Sequence, residues 1–274
     1  MNTGGIDSNA EAAEVEADGR RGTIPSMEIV AHRGASADAP ENTLAAVRLA
    51  WEQAADAVEI DVHLAADGEL MVIHDDDTLR VAGKPGKVAA RTLAELRALD
   101  VGAWKGPQWT GEKIPTFDEV LAAVPEGKKL FVEAKCGAEA VGKIQESIRR
   151  LGGQPGQVVI IGFSLATMRA AKAAMPGNHV SWLVKMSRDQ ASGVWRPAID
   201  ELIAQAMGSG LDGLSINSTE AIGAALVARL RAAGMTLNVW TVDDPVTAKR
   251  LQMAGIDYLS TNRPGWIRGQ LAAR

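Results

Sequence analysis

From Glu28 onward the chain alternates between two hydrophobic patterns. The short apolar runs EIVAH, AVEIDVHL, LFVEAK, VVIIGF, VSWLV, LDGLSI, TLNVWT and DYLST have the length of strands. Several lack the polar alternation of a strand with one wet face and read as parallel strands buried on both sides. Between them, apolar residues recur every three or four positions, the spacing of a one-sided helix. In NTLAAVRLAWEQA, Leu44, Val47 and Trp51 share one stripe, and Asn42 or Thr43 is placed to cap the start. The same period runs through AEAVGKIQESIRRL, SLATMRAAKAAM, TEAIGAALVARLRAAG and DPVTAKRLQMAG, with Gly152, Gly177, Gly234 and Gly255 where C-caps are expected.

Eight such strands, each followed by a helical segment, predict an α/β fold of the closed TIM (β/α)8 barrel type, a single domain over residues 27–274. An open doubly wound sheet would carry a glycine-rich phosphate loop after its first strand, and none is present. One stretch breaks the rhythm. Between Ala65 and Phe117 lie the strand-like ELMVIHDD, the turn-rich VAGKPGK and a loop holding Trp104 and Trp109. It is too long for an ordinary connection and predicts a small insertion after the second strand, about residues 76–116, on the catalytic face.

Composition narrows the partners. A net charge of −5 with scattered Lys and Arg excludes a nucleic-acid surface, and no apolar window is long enough for membrane insertion. Residues 1–26 are acidic, glycine-containing and without an apolar leader, which predicts a disordered tail and a cytoplasmic setting. Cys136 is the only cysteine, so no internal disulfide can form, and it reads as a small packing residue.

Reactive side chains of such a barrel belong at the C-terminal ends of its strands. Those ends carry His32 and Arg33, Glu59 and Asp61, His74 and Asp75, Glu133 and Lys135, and Trp240. Residues two apart on a strand share a face, so Glu59 and Asp61 stand on one wall of the barrel and Glu133 on the next. Buried carboxylates need compensation, and two forms are open: a hard cation such as Mg²⁺ or Ca²⁺, or ion pairs with Arg33 and Lys135. Two histidines at strand ends can supply a general base and a general acid. Arg33 offers a planar fork for an anion, so the set suits an anionic phosphoryl group. His63 continues the Glu59–Asp61 face and reads as a supporting residue. His179 precedes its strand, at the opposite end of the barrel, and reads as structural.

Taken in order, AHRGASADAPENTLAAV, VEIDVHLAADGELMVIHDDDTL, IPTFDEVL, FVEAK, LNVWTVDDP and GIDYLSTNRPG resemble the glycerophosphodiester phosphodiesterases, the compact bacterial cytoplasmic type above all, over about Glu28 to Trp266. The resemblance implies metal-dependent hydrolysis of glycerophosphodiesters, such as glycerophosphocholine and glycerophosphoethanolamine, to sn-glycerol 3-phosphate and an alcohol. It implies His32 and His74 as the acid/base pair and Arg33 as the phosphate-binding arginine. It also implies Glu59, Asp61 and Glu133 as ligands of one divalent cation, Mg²⁺ or Ca²⁺, Lys135 as a phosphate contact and Trp240 as a wall of the glycerol pocket. Glu41 and Phe163 fall at further substrate-side positions. Departures from the family pattern are Val81 and Ala82 after Arg80, Gly162 before Phe163, and Asn262 where an aspartate is usual. A lysophospholipase D-like hydrolase would add an apolar lid, and a non-catalytic phosphodiester-binding barrel would lack a histidine or a carboxylate.

Overall fold

The first apolar run forms β1 (Glu28–His32), followed by α1 (Leu44–Glu52), β2 (Ala57–Leu64), β3 (Leu70–Val72), α2 (Leu79–Ala82), α3 (Leu93–Arg97), α4 (Phe117–Ala122), β4 (Lys129–Ala134) and α5 (Glu139–Arg150). The second half adds β5 (Val158–Gly162), α6 (Leu165–Ala174), β6 (His179–Val184), β7 (Ser187–Arg188), β8 (Trp195–Arg196), α7 (Ile199–Gly208), β9 (Gly213–Asn217), α8 (Ala224–Ala232), β10 (Thr236–Trp240), α9 (Pro245–Ala254), β11 (Tyr258–Thr261) and α10 (Pro264–Ala272). These elements come from a computed structural model that describes residues 1, 27–154 and 156–273. The tail expected over residues 1–26 lies, Met1 apart, outside the described residues.

Strands run in the order β1-β11-β10-β9-β6-β5-β4-β2, and β1 pairs in parallel with both β11 and β2, which closes the barrel. Period-2 alternation divides the apolar residues between two layers. Val30, Ala57, Phe131, Val159, Ile161 and Leu183 form the inner cluster. Their neighbours Ile29, Val58, Ile60, Leu130, Val132, Val158 and Ile160 pack outward with helix residues such as Val47, Ile144, Met168 and Leu226. This double burial is why the strands read as unbroken apolar runs.

Beyond the barrel wall, the end of β2 pairs antiparallel with β3, Val62 opposite Val72. The excursion that follows has its own small core of Met71, Ile73, Val81, Val88, Leu96, Leu99, Val101 and Ile114. Lys105 ties it to the β1–α1 loop through a 2.7 Å hydrogen bond to the Ser36 carbonyl.

Several local expectations resolve here. Thr43, not Asn42, caps α1 by accepting from the Ala46 N–H. Gly255 caps α9 in the left-handed region, but α6 ends at Ala174 with Met175 as its cap, ahead of Pro176 and the expected Gly177. A residue before proline is pushed out of helical geometry, so the stop comes before the glycine is reached. The β7–β8 hairpin and α7 were not singled out: the hairpin has no apolar run, only a turn in which Asp189 accepts from the Ser192 N–H at 2.7 Å. Gly34 (φ +81°) lets the chain turn under α1, since a Cβ there would lie 2.6 Å from the Ala46 carbonyl carbon.

Candidate functional site

Alternation along β2 and β4 turns Glu59, Asp61 and Glu133 inward at the C-terminal mouth. All three are buried, and one oxygen from each lies within 4.8 Å of the others. Lys135 sits 2.8 Å from Glu133 Oε1 and 3.2 Å from Asp61 Oδ1. Arg33 follows β1 in the left-handed region, φ 58°, a cost borne here by its contacts. Its N–H donates to Glu59 Oε2 at 2.9 Å, its Nη1 donates to Glu41 Oε1 at 2.9 Å, and its Nε lies 3.3 Å from Asp61 Oδ2. Asn42, also at φ 58°, donates from Nδ2 to Asp61 Oδ2 at 2.8 Å and accepts from the Asp61 N–H at 3.2 Å.

The cluster holds more negative charge than its cations balance, and the acidities show it. Burial, with the charges of Asp61 and Glu133, pushes the Glu59 carboxyl well up. Burial and the Asp61 charge push Glu133 up to about 7. Asp61 is drawn down to about 2 against its burial, by Lys135 foremost and then Arg33. Two buried carboxyls pushed toward the neutral form, beside a third held toward the ionised one, make an oxygen-donor set matched to a hard divalent ion.

The histidines have different partners. His32 Nδ1 lies 2.8 Å from the carboxamide oxygen of Asn262 at the end of β11. Burial first, then the Arg33 charge, lowers the affinity of His32 for a second proton. His74 Nδ1 lies 2.7 Å from Asp75 Oδ1. Asp75 accepts from Arg80 Nε at 2.6 Å, and that hydrogen bond leads the causes that hold its carboxyl at about 2. Arg80, on α2 of the insertion, also donates both terminal nitrogens to Glu41 at 2.8 Å each. A continuous chain His74–Asp75–Arg80–Glu41–Arg33 therefore crosses the mouth of the barrel. Glu41 holds two arginines in place.

His63 Nε2 lies 3.1 Å from the His74 carbonyl oxygen and so supports the backbone that carries His74. His179 starts β6 at the opposite end, 3.0 Å from both Ser181 Oγ and Thr236 Oγ1. Cys136 is half-buried and its thiol is pushed up by burial, so it packs as a neutral group.

These groups open on a cavity of about 120 Å³ lined by His32, Arg33, Glu59, His74, Glu133, Lys135, Phe163 and Trp240, among others. Phe163 and Trp240 meet edge to face, ring centroids 5.8 Å apart. Trp240 Nε1 is buried without a partner among the described residues. Ser215, Asn238 and Ser260 also line the cavity, joined by hydrogen bonds of 2.8 and 3.0 Å. An outer cleft of about 510 Å³ shares His32 and Arg33 and continues past Glu41, Trp104, Lys105, Asp243 and Arg263. A separate cleft of about 360 Å³ beside the insertion holds Asp118, Lys143, Glu146 and Arg150, which pair with one another.

Of the residues read from the strand ends, His32, Arg33, Glu59, His74, Glu133, Lys135 and Trp240 converge on one cavity, while Asp61 and Asp75 stand behind it on Arg33, Lys135 and His74. Asn42, Asp243, Asn262 and the Ser215–Asn238–Ser260 set had not been singled out as site residues. The last set had a signal: each is a polar residue inside an apolar run, and Asn238 is two residues from Trp240 on β10, on the same face.

Two histidines, an arginine and an acidic cluster at the mouth of a closed (β/α)8 barrel place the chain among barrel enzymes equipped for acid–base chemistry on an anion. Residues 32–266 match the model of the glycerophosphoryl diester phosphodiesterase family, and the chain belongs to that family. A Bacillus subtilis glycerophosphodiester phosphodiesterase is 30% identical over 86% of this chain and 83% of its own length. One from Caldanaerobacter subterraneus is 31% identical over 86% of this chain and 94% of its own. Among solved structures, an Oleispira antarctica phosphodiesterase in complex with the product sn-glycerol-3-phosphate superposes with a TM-score of 0.80, at 29% identity, covering 90% of this chain and 97% of that one. A Thermotoga maritima glycerophosphodiester phosphodiesterase gives 0.71 at 25% identity, with coverage of 89% and 97%.

Proposed function

We propose that this enzyme hydrolyses glycerophosphodiesters such as glycerophosphocholine and glycerophosphoethanolamine to sn-glycerol 3-phosphate and an alcohol, using a divalent cation, Mg²⁺ or Ca²⁺, held by Glu59, Asp61 and Glu133. The supporting observation is the convergence of Glu59 and Glu133, with Asp61 clustered against them, and of His32, His74 and Arg33 on one cavity in a member of this family. When bound, the cation supplies positive charge to the phosphoryl oxygens and the nucleophile.

The remaining work falls to the chain itself. Arg33 and Lys135 bind the non-bridging phosphate oxygens, and Arg33 is pre-oriented by Glu41 and Asp61. Phe163 and Trp240 wall the glycerol half, and the Trp240 N–H is available to a substrate hydroxyl. The alcohol half lies in the outer cleft past Glu41 and Trp104.

The unlike partners of the histidines divide the roles. His32, half-buried and bonded to a neutral amide, is the base that takes the proton of the nucleophile at Nε2. His74, bonded to an ionised carboxylate, is the acid. As the new P–O bond forms, the bond to the alcohol oxygen breaks, and that oxygen takes the His74 proton. Water and the substrate's own glycerol 2-hydroxyl, which would give a cyclic phosphate first, are both served by this pair. Trp104 and Phe163, 46% and 49% exposed beside the two cavities, favour lysophospholipids as a second substrate class to assay.

The test is product identity from purified protein and glycerophosphocholine. Equimolar glycerol 3-phosphate and choline are expected. Glycerol with choline phosphate would place the cleavage on the wrong P–O bond, and release of neither from any glycerophosphodiester would overturn the reading.

A further inference from the structure

Asn262 stands between His32 and a carboxylate that the mechanism above does not use. Its Oδ1 lies 2.8 Å from His32 Nδ1 and 2.9 Å from Ser36 Oγ, while its Nδ2 donates to Asp243 Oδ2 at 2.6 Å. Asp243, in the loop after β10, is itself held by the Thr261 hydroxyl and the Asn262 N–H, both at 2.8 Å to Oδ1. A carboxamide can present either its oxygen or its nitrogen to a neighbour, and the choice follows from the surrounding hydrogen bonds. Here an ionised carboxylate can only accept, so it takes the amide NH₂, and the amide oxygen is left facing the imidazole. An amide oxygen can only accept as well. It therefore selects the His32 tautomer protonated at Nδ1, whose lone pair is at Nε2.

We propose that Asp243 is a positioning residue that acts through Asn262 to hold His32 in the Nδ1–H tautomer required of a general base. The relay crosses three adjacent barrel strands: the β10–α9 loop supplies Asp243, the end of β11 supplies Asn262 and β1 supplies His32. Neither of its two contacts is local, Asn262 being 19 residues from Asp243 and 230 from His32 in sequence. The catalytic meaning of the relay rests on the role proposed for His32, but the tautomer does not.

Reciprocal substitution tests it. In Asp243→Asn, the new amide keeps its oxygen toward Thr261 and meets the Asn262 NH₂ with an NH₂ of its own. Asn262 then turns over and presents a donor to His32 Nδ1. In Asn262→Asp, two carboxylates face each other across the same gap. The double variant Asp243→Asn/Asn262→Asp restores a donor–acceptor pair, with a carboxylate oxygen on His32 Nδ1. Loss of kcat by about 10- to 100-fold is expected in Asp243→Asn, with KM little changed, and recovery of most of it in the double variant. Nitrogen-15 NMR of the ring should show protonated Nδ1 in the wild type and double variant, and protonated Nε2 in Asp243→Asn.

A double variant no more active than Asp243→Asn, with both folded by thermal melt, overturns the relay. So does a wild-type ring protonated at Nε2. The spectrum reads the tautomer without turnover: an inactive wild type with an Nδ1–H ring would sink the proposed reaction and leave the relay standing.

Discussion

The proposed chemistry rests on single residues at the strand ends, and their loss should be felt there first. His32→Ala and His74→Ala each remove one proton-transfer group and should lower kcat by about 10²- to 10⁴-fold, with thermal stability close to wild type. Full activity in either variant would contradict the acid/base pair. Arg80 lies further out but bridges Asp75 and Glu41 through three hydrogen bonds. Arg80→Ala should lower kcat/KM by about 10- to 100-fold through loosened His74 and Arg33, and Arg80→Lys should recover little of it, because an ammonium cannot span both carboxylates as the planar fork does. Legibility at this scale followed chemistry that stands out of place. Histidine and arginine after EIVA, and carboxylates two apart inside an apolar strand, were visible because such residues are costly in a core. Asn262 stood out only as a departure from the family pattern, and Asp243 not at all. They are ordinary polar residues at loop starts, and their meaning is a spatial relation to His32 that no local pattern encodes.

Among the elements, strands were the most legible, because burial on both faces writes long apolar runs. Helices showed where the stripe was regular, and α7 was passed over. Turn chemistry decided the ends: a proline ahead of a glycine stopped α6 early, and a serine–aspartate turn built the unforeseen β7–β8 hairpin. Thr43 holds both ends of its turn, accepting from the Ala46 N–H at 3.2 Å and donating to the Pro40 carbonyl at 2.7 Å. Thr43→Ala should cost about 1 kcal/mol, read by chemical denaturation. An unchanged denaturation midpoint would show that the helix start is held by packing alone. The insertion was legible as an excess of length, but its contribution to the site, Arg80, came into view only with the fold.

The whole molecule links protons, cation and stability. Glu133 is pushed up from an ordinary 4.5 to about 7. Between those values the folded protein keeps a proton that the unfolded chain has released, so the metal-free fold loses stability as pH rises through this window. Glu59 acts in the same direction. Asp61, drawn down from 3.8 to about 2, works the other way, and its contribution is present at neutral pH and lost only as pH falls toward 2. With EDTA, Tm should therefore fall between about pH 4.5 and pH 7, and saturating Mg²⁺ or Ca²⁺ should raise it most at the upper end, where protons compete least for the carboxylates. A cation effect that is absent, or largest at low pH, would contradict the acidic cluster as its site.

The most direct measurement of the central claim is release of sn-glycerol 3-phosphate by the wild type after treatment with EDTA, and again after Mg²⁺ or Ca²⁺ is restored. The account requires negligible release in EDTA and recovery with a divalent cation, with no recovery in Glu59→Gln. Turnover that persists in EDTA, or a Glu59→Gln variant restored as fully as the wild type, would contradict it.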